Sequence, residues 1–66
     1  MKIILNGESR EVPEGLNVSG LLAHLGIASG RVAIERNLEI LPRDQWESTA
    51  LVVGDHFEIV HFVGGG

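Results

Sequence analysis

Cysteine is absent from this 66-residue chain, which excludes disulfide staples, thiolate zinc sites and a cysteine nucleophile. Cations are scarce: five Lys and Arg stand against nine Asp and Glu, for a net charge of −4. Nucleic-acid partners require clustered cations that displace counterions from phosphate, so they are not expected. No apolar run approaches the ~20 residues of a membrane span. The first residues, Met1 to Gly7, are too short for a signal peptide and contain no small-residue cleavage site. The expectation is a soluble cytoplasmic protein with no membrane contact. Neither glycine-rich nucleotide loop, G-x-x-x-x-G-K-[ST] or G-x-G-x-x-G, occurs.

The catalytic inventory is thin. His24, His56 and His61 are not spaced as a helical metal pair, and no histidine lies at a suggestive spacing from Ser9, Ser19, Ser29 or Ser48 to act as their base. Glu35 and Glu39 flank a turn and read as solvated. Trp46 reads as a lid over one core edge, its indole N–H free to find a backbone acceptor. The chain is not expected to be an enzyme, to bind a metal or to carry a cofactor of its own.

One small domain remains. At this length about 60% of the unfolded surface can be buried, so the core must be well patterned. Residues 2–6 read as a strand, Asn6-Gly7 as a type I′ hairpin turn and residues 9–13 as the return. Val18, Leu21, Leu22 and Leu25 sit at i, i+3, i+4 and i+7, which predicts a helix over residues 18–25 with one buried stripe. Asn17 is placed to cap its start, Gly26 to close it in the left-handed conformation, and Gly20 to weaken it from the opposite face. Strands follow at 32–35 and 39–41, joined by the turn Arg36-Asn37-Leu38. A helical turn over Arg43 to Trp46, an irregular stretch from Ser48 to Val53 and a final strand at 56–63 complete the order. These elements predict a mixed sheet of four to five strands across one main helix, with the first and last strands parallel at its centre.

Alternation along those two strands separates their faces. Lys2 and Glu58 belong in water, which sends Ile3, Leu5, Phe57 and Ile59 to the core and leaves Ile4, Val60 and Phe62 on the open face. Those three are expected to form a contiguous apolar patch for partner docking rather than scattered surface hydrophobes. The charge is uneven: residues 34–66 hold six acids and two bases, against three of each in residues 1–33. That half suits a basic docking surface, or serves solubility alone.

The last strand runs into Gly64-Gly65-Gly66. Three extended residues reach roughly 10 Å, and glycine lets such a stalk thread a narrow channel. The reading is a domain over 1–63 with a tail over 64–66 that presents the Gly66 carboxylate. A carboxylate is a poor electrophile until it is joined to AMP; the mixed anhydride then admits a sulfur nucleophile and yields a thiocarboxylate. The alternative is an idle end.

The chain resembles the ThiS family, bacterial sulfur carriers of thiamine thiazole synthesis with the ubiquitin-like β-grasp fold. The resemblance rests on Asn6-Gly7, Asn17-Val18 with Leu21-Leu22, Val32 to Asn37, Ile40-Leu41-Pro42-Arg43-Asp44-Gln45-Trp46, and Gly54-Asp55 with Glu58 to Gly66. Asn17 stands where the family usually has Thr. Membership implies an α+β fold and a cycle in which a ThiF-type adenylating enzyme uses ATP as its own substrate to activate Gly66. A cysteine desulfurase would supply sulfur, and thiazole synthase would receive it. Terminal glycines are shared with the small subunit of molybdopterin synthase and with ubiquitin-like protein modifiers, the alternative readings.

Overall fold

Asn6 and Gly7 both hold positive φ, 49° and 82°, the twist a two-residue hairpin needs. They join β1 (Lys2–Leu5) to β2 (Glu8–Glu11). The computed structural model describes residues 1–62. Val12 leaves the strand, yet its N–H still donates to the Met1 carbonyl (2.9 Å), and the Met1 ammonium donates to the Val12 carbonyl (2.6 Å). Pairing thus outlasts β2 by one residue.

Helix α1 spans Val18–Leu25, as the apolar spacing predicts. The first three N–H groups of the helix all find acceptors. The Val18 and Ser19 N–H groups donate to the Thr49 and Trp46 carbonyls, and the Gly20 N–H donates to Asn17 Oδ1 at 2.7 Å. Asn17 Nδ2 also donates to the Glu47 carbonyl, so one side chain caps the helix and ties down the loop beside it. Gly26 closes the other end at φ 72°. Gly20 corrects the sequence reading: a Cβ there would lie 3.2 Å from Asn17 Oδ1 and 3.3 Å from Leu16 Cδ2. The missing side chain makes room for the cap.

A 3₁₀ turn at Ser29–Arg31, not foreseen from sequence, leads into β3 (Val32–Arg36). A two-residue turn with Asn37 and Leu38 both at positive φ returns it to β4 (Glu39–Ile40). A second 3₁₀ turn, Arg43–Gln45, precedes Trp46. The last strand, β5, is His56–His61; it ends before the expected Phe62, and the expected residue 63 lies outside the described residues.

The strand order is β2-β1-β5-β3-β4, with β1 and β5 parallel and the other pairs antiparallel. One face of this mixed sheet packs on α1. Ile3, Leu5, Phe57 and Ile59 are buried there with Val18, Leu21, Leu22, Val32 and Ile34, as alternation requires. Trp46 seals an edge of this core. Its indole Nε1–H donates to the Leu41 carbonyl (3.0 Å), and the Arg43 guanidinium lies 4.4 Å above the ring. His61 shares the parity of Phe57 and Ile59 but is exposed, because the core ends at Ile59.

Candidate functional site

The C-terminal end of β5 is built from both flanks. Toward β3, Val32 pairs with His61 and Ala33 with Val60, and the Phe62 N–H donates to the Arg31 carbonyl at 2.8 Å. Toward β1, the ladder is short: Ile4 is level with His56 and Leu5 with Phe57. There the Asn6 side chain takes over. Its Oδ1 accepts from the Ile59 N–H (2.8 Å), and its Nδ2 donates to the Ile59 carbonyl (3.3 Å).

The start of β5 is fixed by a different cluster, which the sequence reading missed. Asp55 is buried, and its carboxylate accepts from Val52 N–H (2.8 Å), Arg36 Nε (3.2 Å) and Asn37 Nδ2 (3.2 Å). Asn37 in turn accepts from the His56 N–H and donates its own N–H to the His56 carbonyl. Gly54-Asp55 is legible as a turn; that this aspartate reaches across to β3 is not, because its partners lie 18 and 19 residues away.

On the open face, Val60 and Phe62 are 55% and 60% exposed at the tail end of β5. Ile4 does not join them. It is half-buried and level with His56, four positions from Val60 and so roughly 13 Å along the strand. The expected contiguous trio is therefore corrected. Val60 is instead paired directly with Ala33 of β3; Ile40, on the same face, pairs with Glu35 of β3 and so lies two strands over from β5 and level with Glu58. Ile40 is 72% exposed but stands apart from Val60, with β3 between them. Glu35 and Glu58 face each other on this surface. The exposed apolar residues at this end are thus Val60 and Phe62 beside Ala33, with the Glu35–Glu58 pair in the next same-face row and Ile40 beyond Glu35. Ile40 was legible as strand, but its face depended on the turn register at Asn37-Leu38.

Gly64, Gly65 and Gly66 lie outside the described residues. Among the described residues, no group of three or more His, Cys, Asp or Glu is arranged to hold a metal. No helix there is long and apolar enough to cross a membrane. A cavity of about 370 Å³ between α1 and the Arg43 turn is lined by Leu22, Ile27, Arg43 and Trp46 among others. Arg43 is already engaged, donating to the Ser29 and Val32 carbonyls.

Comparison with known proteins assigns this arrangement. The ThiS family pattern matches residues 3–66, the three glycines included. The chain belongs to the ThiS family. A crystal structure of the thiamine biosynthesis protein ThiS from Geobacter metallireducens superposes with a TM-score of 0.85 at 38% identity, covering all of both chains. The five-stranded mixed sheet with one helix is accordingly the ThiS-like β-grasp. The sulfur carrier protein ThiS of Bacillus subtilis is 41% identical over 49 residues, 74% of each chain. A thiazole synthase of Paramagnetospirillum magneticum is 47% identical over all 66 residues, which make up 20% of that protein. The chain thus spans about one fifth of that relative, whose name belongs to a much larger protein.

Proposed function

We propose that this chain is a sulfur carrier of thiamine biosynthesis, a protein substrate rather than an enzyme, whose working group is the Gly66 carboxylate. The observation that carries the reading is the family match over residues 3–66, which takes in the terminal glycines. The carboxylate attacks the α-phosphorus of ATP in a ThiF-type adenylating enzyme and pyrophosphate leaves. A sulfur nucleophile at the sulfide level, formed when a thiol reductant releases the persulfide sulfur of a cysteine desulfurase and is itself oxidised to a disulfide, then attacks the acyl carbon. AMP departs with the original carboxylate oxygen, leaving a thiocarboxylate. Thiazole synthase takes up the sulfur. The occurrence of a segment 47% identical to this chain within a thiazole synthase supports that last partner. No side chain among the described residues is needed for bond making; those residues dock and aim.

Docking falls to Val60 and Phe62 with Ala33 beside them, an apolar surface at the end of β5. Glu35 and Glu58 behind it favour a partner with a basic rim. The test is genetic: in a thiazole auxotroph lacking its own carrier, the chain restores growth without added thiazole and a chain lacking Gly66 does not. Equal growth from both would remove Gly66 from the mechanism.

A further inference from the structure

We propose that Asn6 is a positioning residue for the tail, through its side-chain clamp on Ile59. The inference rests on the sulfur-carrier reading and assigns part of its geometry to a residue far from the chain's end. In β5 and the residue before it, the peptide groups of residues 55, 57 and 59 face β1. The Ile4 N–H donates to the Asp55 carbonyl (2.9 Å) and the Asn6 N–H to the Phe57 carbonyl (2.8 Å). Then β1 ends and the chain turns away through Gly7. The next rung would leave Ile59 facing no strand. Asn6 supplies that rung with its side-chain amide, accepting from the Ile59 N–H and donating to the Ile59 carbonyl.

A carboxamide presents the same donor and acceptor as a peptide group, so it serves as a one-residue extension of the parallel ladder. The position also demands backbone tolerance, because Asn6 sits at φ 49° as the first residue of the turn. Asn is among the few residues with a side chain that accept this conformation readily. Turn and clamp therefore select the same residue for separate reasons. The consequence lies downstream: Ile59 is seven residues from Gly66, and beyond it β5 is held toward β3. Without the clamp, one flank of the departing segment opens, its directions multiply and fewer molecules present the tail ready to enter a channel.

Asn6→Gly separates the two roles, since glycine keeps the positive φ and removes the clamp. Asn6→Asp keeps the acceptor for the Ile59 N–H but loses the donor to its carbonyl. In Asn6→Gly, amide hydrogen exchange at Ile59, normalised to Leu21 in α1, should accelerate about tenfold, with KM of the carrier for the adenylating enzyme rising several-fold and kcat within about twofold. Asn6→Asp should fall between Asn6→Gly and the unaltered chain. Selective opening at Ile59 with KM unchanged would make the clamp merely structural and overturn the proposal. Exchange at Ile59 that only tracks Leu21 would overturn it too. An unaltered chain that is never adenylated would instead sink the carrier reading, a failure visible before any variant is made.

Discussion

The Asp55 carboxylate is 5% exposed and accepts three hydrogen bonds, from Arg36, Asn37 and the Val52 backbone. Buried acceptors of this kind are costly to remove, because the donors left behind lose both partner and solvent. Asp55→Ala should destabilise the protein by about 2–3 kcal/mol, read from the urea midpoint at constant slope. An unchanged midpoint would mean the cluster does not hold the start of β5. Leu38 makes the opposite case. It is 91% exposed at φ 72°, a conformation that costs a residue with a Cβ roughly 1–2 kcal/mol. Glycine would relieve that strain and lose some unfolded-chain restriction in exchange. Leu38→Gly should therefore raise stability by up to about 1 kcal/mol; a lower midpoint would mean the exposed leucine makes contacts that outweigh its strain.

At the level of elements, helix α1 depends on its first turn. Asn17 both caps Gly20 and holds the Glu47 carbonyl, so Asn17→Ala should cost about 1–2 kcal/mol in the same denaturation measurement. Gly20→Ala should fail to give the ~1 kcal/mol that alanine ordinarily returns in a helix, because the new methyl crowds the cap at 3.2 Å. These elements show what the sequence carries. The Asn6-Gly7 turn, the helix with both caps, and the alternation that buried Ile3, Leu5, Phe57 and Ile59 were all legible, because each is decided by neighbours a few residues apart. The Ile59 clamp joins residues 53 apart, and the Asp55 cluster joins residues up to 19 apart; no local pattern announces them. The open-face trio failed for a related reason. Alternation gives a side chain its face, but the offset between two parallel strands is set by the crossover that joins them. That offset put Ile4 level with His56, four positions short of Val60, and left Ala33 of β3 as the residue paired with Val60.

For the whole molecule, the sheet separates two tasks. Its inner face and α1 make a core that keeps β5 central, and its outer face carries the exposed Val60 and Phe62, the proposed docking residues. The outermost strands resist unwanted pairing: β2 carries Glu8, Arg10 and Glu11, and β4 has two residues before Leu41-Pro42. Phe62→Asp, at a 60% exposed position, should leave the urea midpoint within about 0.5 kcal/mol while weakening capture by the adenylating enzyme at least about tenfold, as measured by calorimetry. Unweakened capture would place the docking surface elsewhere.

The central claim concerns one atom at Gly66, and intact-protein mass spectrometry reads it directly. The chain is incubated with ATP, an adenylating enzyme and a sulfide-level donor, and fragmented to locate any change. The account predicts a mass gain equal to replacing one oxygen by sulfur, confined to Gly66 and absent without ATP. A fully active enzyme and donor that leave Gly66 unaltered, or place sulfur on another residue, would contradict it.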